Sequence, residues 1–164
     1  MNQADILAYL LRHNQDFIAK ATDGLSHAES VLQLPGESNC MNWVLGHVAV
    51  YRDVMLSAIS QPEYVTPSEV KLYNQNSKPI TTSSKSTSLK QLLATLDKTY
   101  DALSDWLEKN PEGLQKETPP DIPISKGKTV AEHFAVLCWH ESNHVGELHA
   151  LRELALVSLG KGWK

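Results

Sequence analysis

Cysteine is scarce in this chain. The two present, Cys40 and Cys138, stand far apart and form no CxxC pair, so the sequence offers neither a disulfide framework nor a thiolate metal knuckle. Both read as buried, reduced thiols, because free cysteine behaves as a small apolar side chain. Long apolar runs are missing too, and none approaches the roughly 20 residues needed to span a bilayer. The opening MNQADILAYLLRHNQDF is polar and amphipathic rather than a secretory leader. Basic excess is also absent: a net charge of −4 and a pI near 5.9 argue against a nucleic-acid binder, which carries a basic face. These absences point to a cytoplasmic protein with no membrane or nucleic-acid partner. At 164 residues, one domain spanning 1–164 is expected, long enough to fold around a core without disulfides or a structural metal. The 41% hydrophobic and 21% charged residues are ordinary for a globular chain.

Strand patterns and internal repeats are lacking as well. What is present is helical periodicity. Residues 3–23 place Ile6, Leu7, Leu10, Leu11, Phe17, Ile18 and Ala21 at spacings of three and four, and Gly24 closes the stretch. Ser26 to Glu29 spells a capping sequence for a short extra turn before Pro35-Gly36. A second helix is predicted from Ser38 or Asn39 to Ile59, with Met41, Trp43, Val44, Val48, Tyr51, Val54 and Met55 on its apolar side. Residues 60–87 hold three prolines and no sustained period beyond a single turn at Ser68 to Tyr73; a connection this long crosses the fold or covers a site. Ser88 to Gln91 forms a capping box for a third helix through Lys109. Residues 110–128 then connect to the last helix. Four apolar-striped helices with two long connections predict an all-α four-helix bundle.

The last stretch, Thr129 to Leu154, holds four of the seven histidines, no proline, and Gly146 as its only glycine. Thr129 and Glu132 make a capping box. At about 100° per residue, His144 lies roughly 40° round from His140, one turn away on the same face. His133 and Glu147 fall within about 20° of His140, and His149 points to the opposite side. Neutral imidazoles need partners for both ring nitrogens, and burying one unpaired costs roughly 1–3 kcal/mol. A shared metal ion removes half of that cost; a pair of satisfied or solvent-facing histidines is the alternative. His47 lies about 40° from Trp43 and Tyr51 on the second helix. Alone, it reads as a hydrogen-bonded core residue. If helices two and four face each other, it meets His140 and His144, and three imidazoles would leave a divalent ion with a free position. His13 reads as a structural or surface residue.

His140 to His144 spells HESNH, a literal HExxH, in which Glu141 would be the general base of a zinc peptidase. The metzincin continuation is absent: glycine follows the second histidine at plus two and His149 at plus five. No strand pattern offers an edge for an extended peptide. Glu141-x-x-His144 also suggests diiron bundles, but helices two and three supply no matching glutamates.

NWVLGHVAVYRD in helix two, followed by WHESNHVGELHALREL in helix four, resembles the DinB-like superfamily, which includes the YfiT-type metal-dependent hydrolases. The likeness covers nearly the whole chain. It implies an up-down-down-up four-helix bundle, a homodimer, and a divalent metal, zinc or nickel, on three histidines. Carried over residue by residue, these are His47, His140 and His144. Glu147 stands where many relatives have glutamine, which adds an acidic group to the metal-facing stripe. Some relatives are transferases or isomerases using a low-molecular-weight thiol. The leading expectation is therefore a metal-dependent transferase or hydrolase acting on a small molecule, with Glu141 or Glu147 as proton acceptor. Trp43, Tyr51 and Trp139 are candidates to wall the pocket, or else to pack the core. The competing expectation is a non-catalytic dimeric bundle whose metal has a closed fourth ligand, His133 or Glu147. A bundle with no metal and three structural histidines is the third.

Overall fold

The computed structural model describes residues 2–34, 36, 38–118, 122 and 125–161. Pro35 of the Pro35-Gly36 turn, and 119–121, 123 and 124 of the 110–128 connection, lie outside the described residues, as do Met1 and 162–164 at the ends of the 1–164 span. Six α-helices follow in order: α1 Gln3–Thr22, α2 His27–Ser30, α3 Met41–Ala58, α4 Pro67–Tyr73, α5 Leu89–Lys109 and α6 Val130–Ser158. A 3-10 turn, Pro111–Gln115, follows α5. No helix among the described residues is long and apolar enough to cross a membrane.

Local chemistry sets the boundaries. Asn2 and Asp5 exchange side-chain bonds to each other's backbone N–H and open α1. Gly24 takes a left-handed φ of 71° just beyond its end. The Arg152 guanidinium reaches from α6 to the last carbonyls there, Ala21 and Asp23. Helix α3 starts later than the Ser38 or Asn39 predicted, at Met41 with Cys40 as its cap residue. The Ser38 hydroxyl lies in the preceding turn instead, donating back to the Leu34 carbonyl. Ser88 accepts from the Gln91 N–H at the head of α5. Thr129 and Glu132 form the anticipated box at the head of α6, which runs four residues past the predicted end at Leu154.

The long helices α1, α3, α5 and α6 form the bundle. Helix α3 packs on α5 and α6, and α1 packs on the same two, so α1 stands diagonally from α3 and α5 from α6. Directions follow from cross-links. Asn42 bonds Thr87, and Arg52 bonds Leu96, so α3 and α5 run parallel. Asn14 bonds Cys138 and Arg152 bonds Ala21, so α1 and α6 run parallel. Gln15 bonds Asp97, while Ala4 and Ala8 lie beside Ser104 and Leu107, which sets α1 against α5. The order is up-down-down-up.

At the centre, Arg52 is fully buried and ties all four helices. Its guanidinium donates to Gln15 Oε1 on α1 at 2.7 Å and to the Leu96 carbonyl on α5 at 2.8 Å. It also forks onto both carboxylate oxygens of Glu141 on α6, at 2.5 and 3.1 Å. The 60–87 connection lies on α3. Asp53 Oδ2 accepts from the N–H groups of Tyr64 and Val65, and Thr66 caps α4 within it.

Candidate metal centre

Helix α6 presents His140 and His144 one turn apart, and antiparallel α3 brings His47 against both. One nitrogen from each of the three lies within 4.8 Å of the others. The Nε2 atoms of His140 and His144 are 3.2 Å apart. Ring centroids of His47 stand 5.3 Å from His140 and 4.8 Å from His144.

Hydrogen bonding fixes which nitrogens are available. His47 Nδ1 is 2.7 Å from the Tyr73 carbonyl oxygen. A carbonyl only accepts, so Nδ1 carries the proton and Nε2 keeps its lone pair. His144 Nδ1 is 3.2 Å from Glu147 Oε2, and the same logic frees its Nε2. An outward Nδ1–H held by a carbonyl or carboxylate, with Nε2 turned inward, is the arrangement that orients metal-binding histidines. Two nitrogens about 2.0–2.1 Å from a tetrahedral ion stand about 3.3 Å apart, close to the separation observed across the His140–His144 pair. His140 Nδ1 is buried and has no partner among the described residues.

Burial pushes His47 down to about 4, against the raising effect of its bond to Tyr73. Burial and the neighbouring His144 and His47 push His140 down to about 4 as well. Both rings are therefore neutral at pH 7, the form that donates to a metal. Trp43 stacks on His47 at 4.6 Å and 16°, and Tyr51 lies 4.6 Å from both His47 and His140. The cluster opens towards solvent on one side, where Glu147 is 54% exposed. The residues present fit a divalent ion.

Residues 10–148 match the DinB superfamily. The chain belongs to that superfamily. A comparison with curated proteins found no match. The DinB match begins within α1, ends within α6 and takes in His47, His140 and His144.

Other residues singled out in this DinB chain fall elsewhere. Glu141 does not turn to the histidines. Its side chain is 1% exposed and both its oxygens are held by Arg52, so the reading of Glu141 as a proton acceptor is corrected to a partner in the central ion pair. His133 shares the wheel position of His140 but sits two turns lower on α6, with Nδ1 2.6 Å from Ser125 Oγ. It is not brought to the cluster. Glu147 touches the outer nitrogen of His144. Trp139 is 67% exposed and walls nothing, whereas Trp43 and Tyr51 line the cluster. Both cysteines are free and buried. Three participants went unnoticed in the sequence: Arg52, Gly46 and Tyr73. Only Arg52 left a signal, as the one Lys or Arg within a largely apolar helix.

A cavity of about 1080 Å³ adjoins the cluster along α3, lined in part by Val50, Tyr51, Val54, Trp106 and Lys109. None of the three histidines lines it. Tyr51 is the shared wall.

Proposed function

We propose that this DinB protein is a metal-dependent enzyme in which His47, His140 and His144 hold a zinc or nickel ion. The reaction is a transfer using a low-molecular-weight thiol, or a hydrolysis, on a small molecule. The observation that carries the reading is the outward anchoring of His47 and His144 through Nδ1, which turns two Nε2 lone pairs toward a common point beside His140. When bound, the ion supplies Lewis acidity and lowers the pKa of a coordinated water or thiol. The chain supplies the rest. Glu147 fixes the ring of His144 and, at the solvent edge, stands as the proton acceptor. Tyr51 and Trp43 hold the rings in place and keep water from the buried side. The cavity beyond Tyr51 is of the size that takes a small organic molecule.

Two observations weigh against the competitors. A peptidase of HExxH type needs Glu141 as its base, and Arg52 occupies that carboxylate. A closed structural site needs a fourth ligand, yet His133 is bonded to Ser125 and the Glu147 carboxylate to the outer nitrogen of His144. The homodimer is proposed on the exposed α1 stripe of Ile6, Tyr9, Leu10 and Phe17, with Trp139 on the neighbouring helix. Light scattering of the purified protein tests it, and a monomer at micromolar concentration rejects it.

The metal reading is tested by titrating metal-stripped protein with Zn²⁺ and Ni²⁺ in a calorimeter. One ion per chain is expected, lost in His47→Ala and His140→Ala. No binding by the wild type, or binding unchanged in both variants, ends the reading. Turnover of thiol-conjugate and ester substrates by the loaded protein, absent after chelation, then separates transferase from hydrolase.

A further inference from the structure

We infer that the 60–87 connection is the outer shell of the metal centre: Tyr73, seated on Gly46, is the positioning residue for His47. This rests on the metal reading above. The face of α3 carrying Asn42, Trp43, Gly46 and His47 receives the end of α4 at every turn. Tyr73 donates its hydroxyl to Asn42 Oδ1 at 2.9 Å and accepts from the Thr87 N–H at 2.8 Å. Trp43 Nε1 donates to Ser77 Oγ at 2.8 Å, and that hydroxyl donates to the Leu72 carbonyl at 2.7 Å. The Tyr73 ring lies against Gly46, so close that a Cβ at position 46 would overlap its Cγ, Cδ1 and Cδ2 atoms. Only glycine lets the ring approach, and the approach brings the Tyr73 carbonyl to His47 Nδ1. His47 is inside the bundle and lacks any other partner for that nitrogen in the hydrogen-bond network among the described residues. The connection therefore sets the tautomer and the ring plane of one of the three imidazoles. Because the coupling is reciprocal, an ion that fixes His47 also holds α4 down.

Two measurements on the full chain test this, with Zn²⁺ as the probe. Gly46→Ala displaces the Tyr73 ring and is expected to weaken Zn²⁺ binding by tenfold or more, as loss of an outer hydrogen-bond partner does, while helical circular dichroism is retained. The visible spectrum of the Co²⁺-loaded variant is expected to change, which a loss of stability alone does not cause. In the wild type, Zn²⁺ is expected to slow amide exchange at residues 70–77 beyond its effect on the surface of α5. Wild-type Zn²⁺ binding with no slowing at 70–77 overturns the inference. So does a folded Gly46→Ala protein that binds within twofold of wild type. If that variant does not fold, the exchange result alone decides. A wild type that binds no Zn²⁺ defeats the metal reading itself, which is a distinguishable result.

Discussion

Removing the Glu141 carboxylate strips the central guanidinium of its only ion-pair partner among the described residues. In Glu141→Ala, Arg52 keeps Gln15 Oε1 and the Leu96 carbonyl, but its Nε and second terminal nitrogen face an apolar interior with nothing to bond. Neither partner reaches water, their side chains being 0% and 1% exposed. Breaking a buried pair from one side costs about 3–5 kcal/mol, because the orphaned charge stays buried. For a chain of this size that is a fall in melting temperature of about 6–20 °C. Urea unfolding followed by circular dichroism gives the free energy directly. Glu141→Gln keeps the shape and one acceptor and is expected to lose less, yet still more than about 1 kcal/mol. Replacing both partners, as in Arg52→Met with Glu141→Leu, is expected to restore most of the loss, since an apolar pair of similar volume has no charge to desolvate. Zn²⁺ affinity of Glu141→Gln is expected within threefold of wild type. A destabilisation below about 1 kcal/mol in Glu141→Ala, or a large loss of Zn²⁺ binding in Glu141→Gln at unchanged stability, refutes the assignment of this carboxylate to the bundle rather than to the histidines.

Metal-free protein is expected to lose stability as pH falls from about 6.5 to 4, the ordinary histidine value and the depressed folded one of His47 and His140. In that window the unfolded chain takes up protons that the folded chain refuses, so the slope is positive and up to about 1.4 kcal/mol per pH unit for each ring. Denaturant midpoints across pH in the presence of chelator check this, and His47→Ala should flatten the curve. Glu147→Gln is expected to weaken Zn²⁺ binding by about tenfold while leaving unfolding within about 0.5 kcal/mol, because its side chain is half exposed and acts only through His144; calorimetry and urea melts measure the two. Burial pushes Cys138 up to about 12 and Cys40 upward as well. A chromogenic disulfide reagent at pH 8 is therefore expected to react with neither in the folded protein and with both in denaturant.

Much of this architecture is written in the order of residues. The capping boxes at Thr129 and Ser26, the period of α1 and α5, and the one-turn spacing of His140 and His144 are local properties, and a local reading finds them. The failures share a cause. A helical wheel gives angle but not height, so His133 and His140 coincide on it although seven residues, about 10.5 Å, separate them along the axis. The HExxH spelling also outweighs angle for α6, whose buried Val130, Phe134, Leu137, Glu141, Val145 and Leu148 fall in one stripe about 80° wide. Glu141 could thus be placed near the histidines on paper when its side chain enters the middle of the bundle. Tyr73 acts through its backbone carbonyl, an atom that every residue has and that no motif can mark. Gly46 is legible only once the ring lying on it is known.

The diagonal placement of α1 from α3 and of α5 from α6 has a consequence for how the molecule comes apart. Helices α1 and α3 do not form a packed hairpin, and neither do α5 and α6; each finds its principal neighbours in the other half of the chain. Neither the α1–α3 half nor the α5–α6 half can then keep a native-like core, because stripping away one leaves two helices with nothing to lean on. Unfolding is expected to be all-or-none, and two separately expressed halves, each unstructured alone, should regain helix only on mixing.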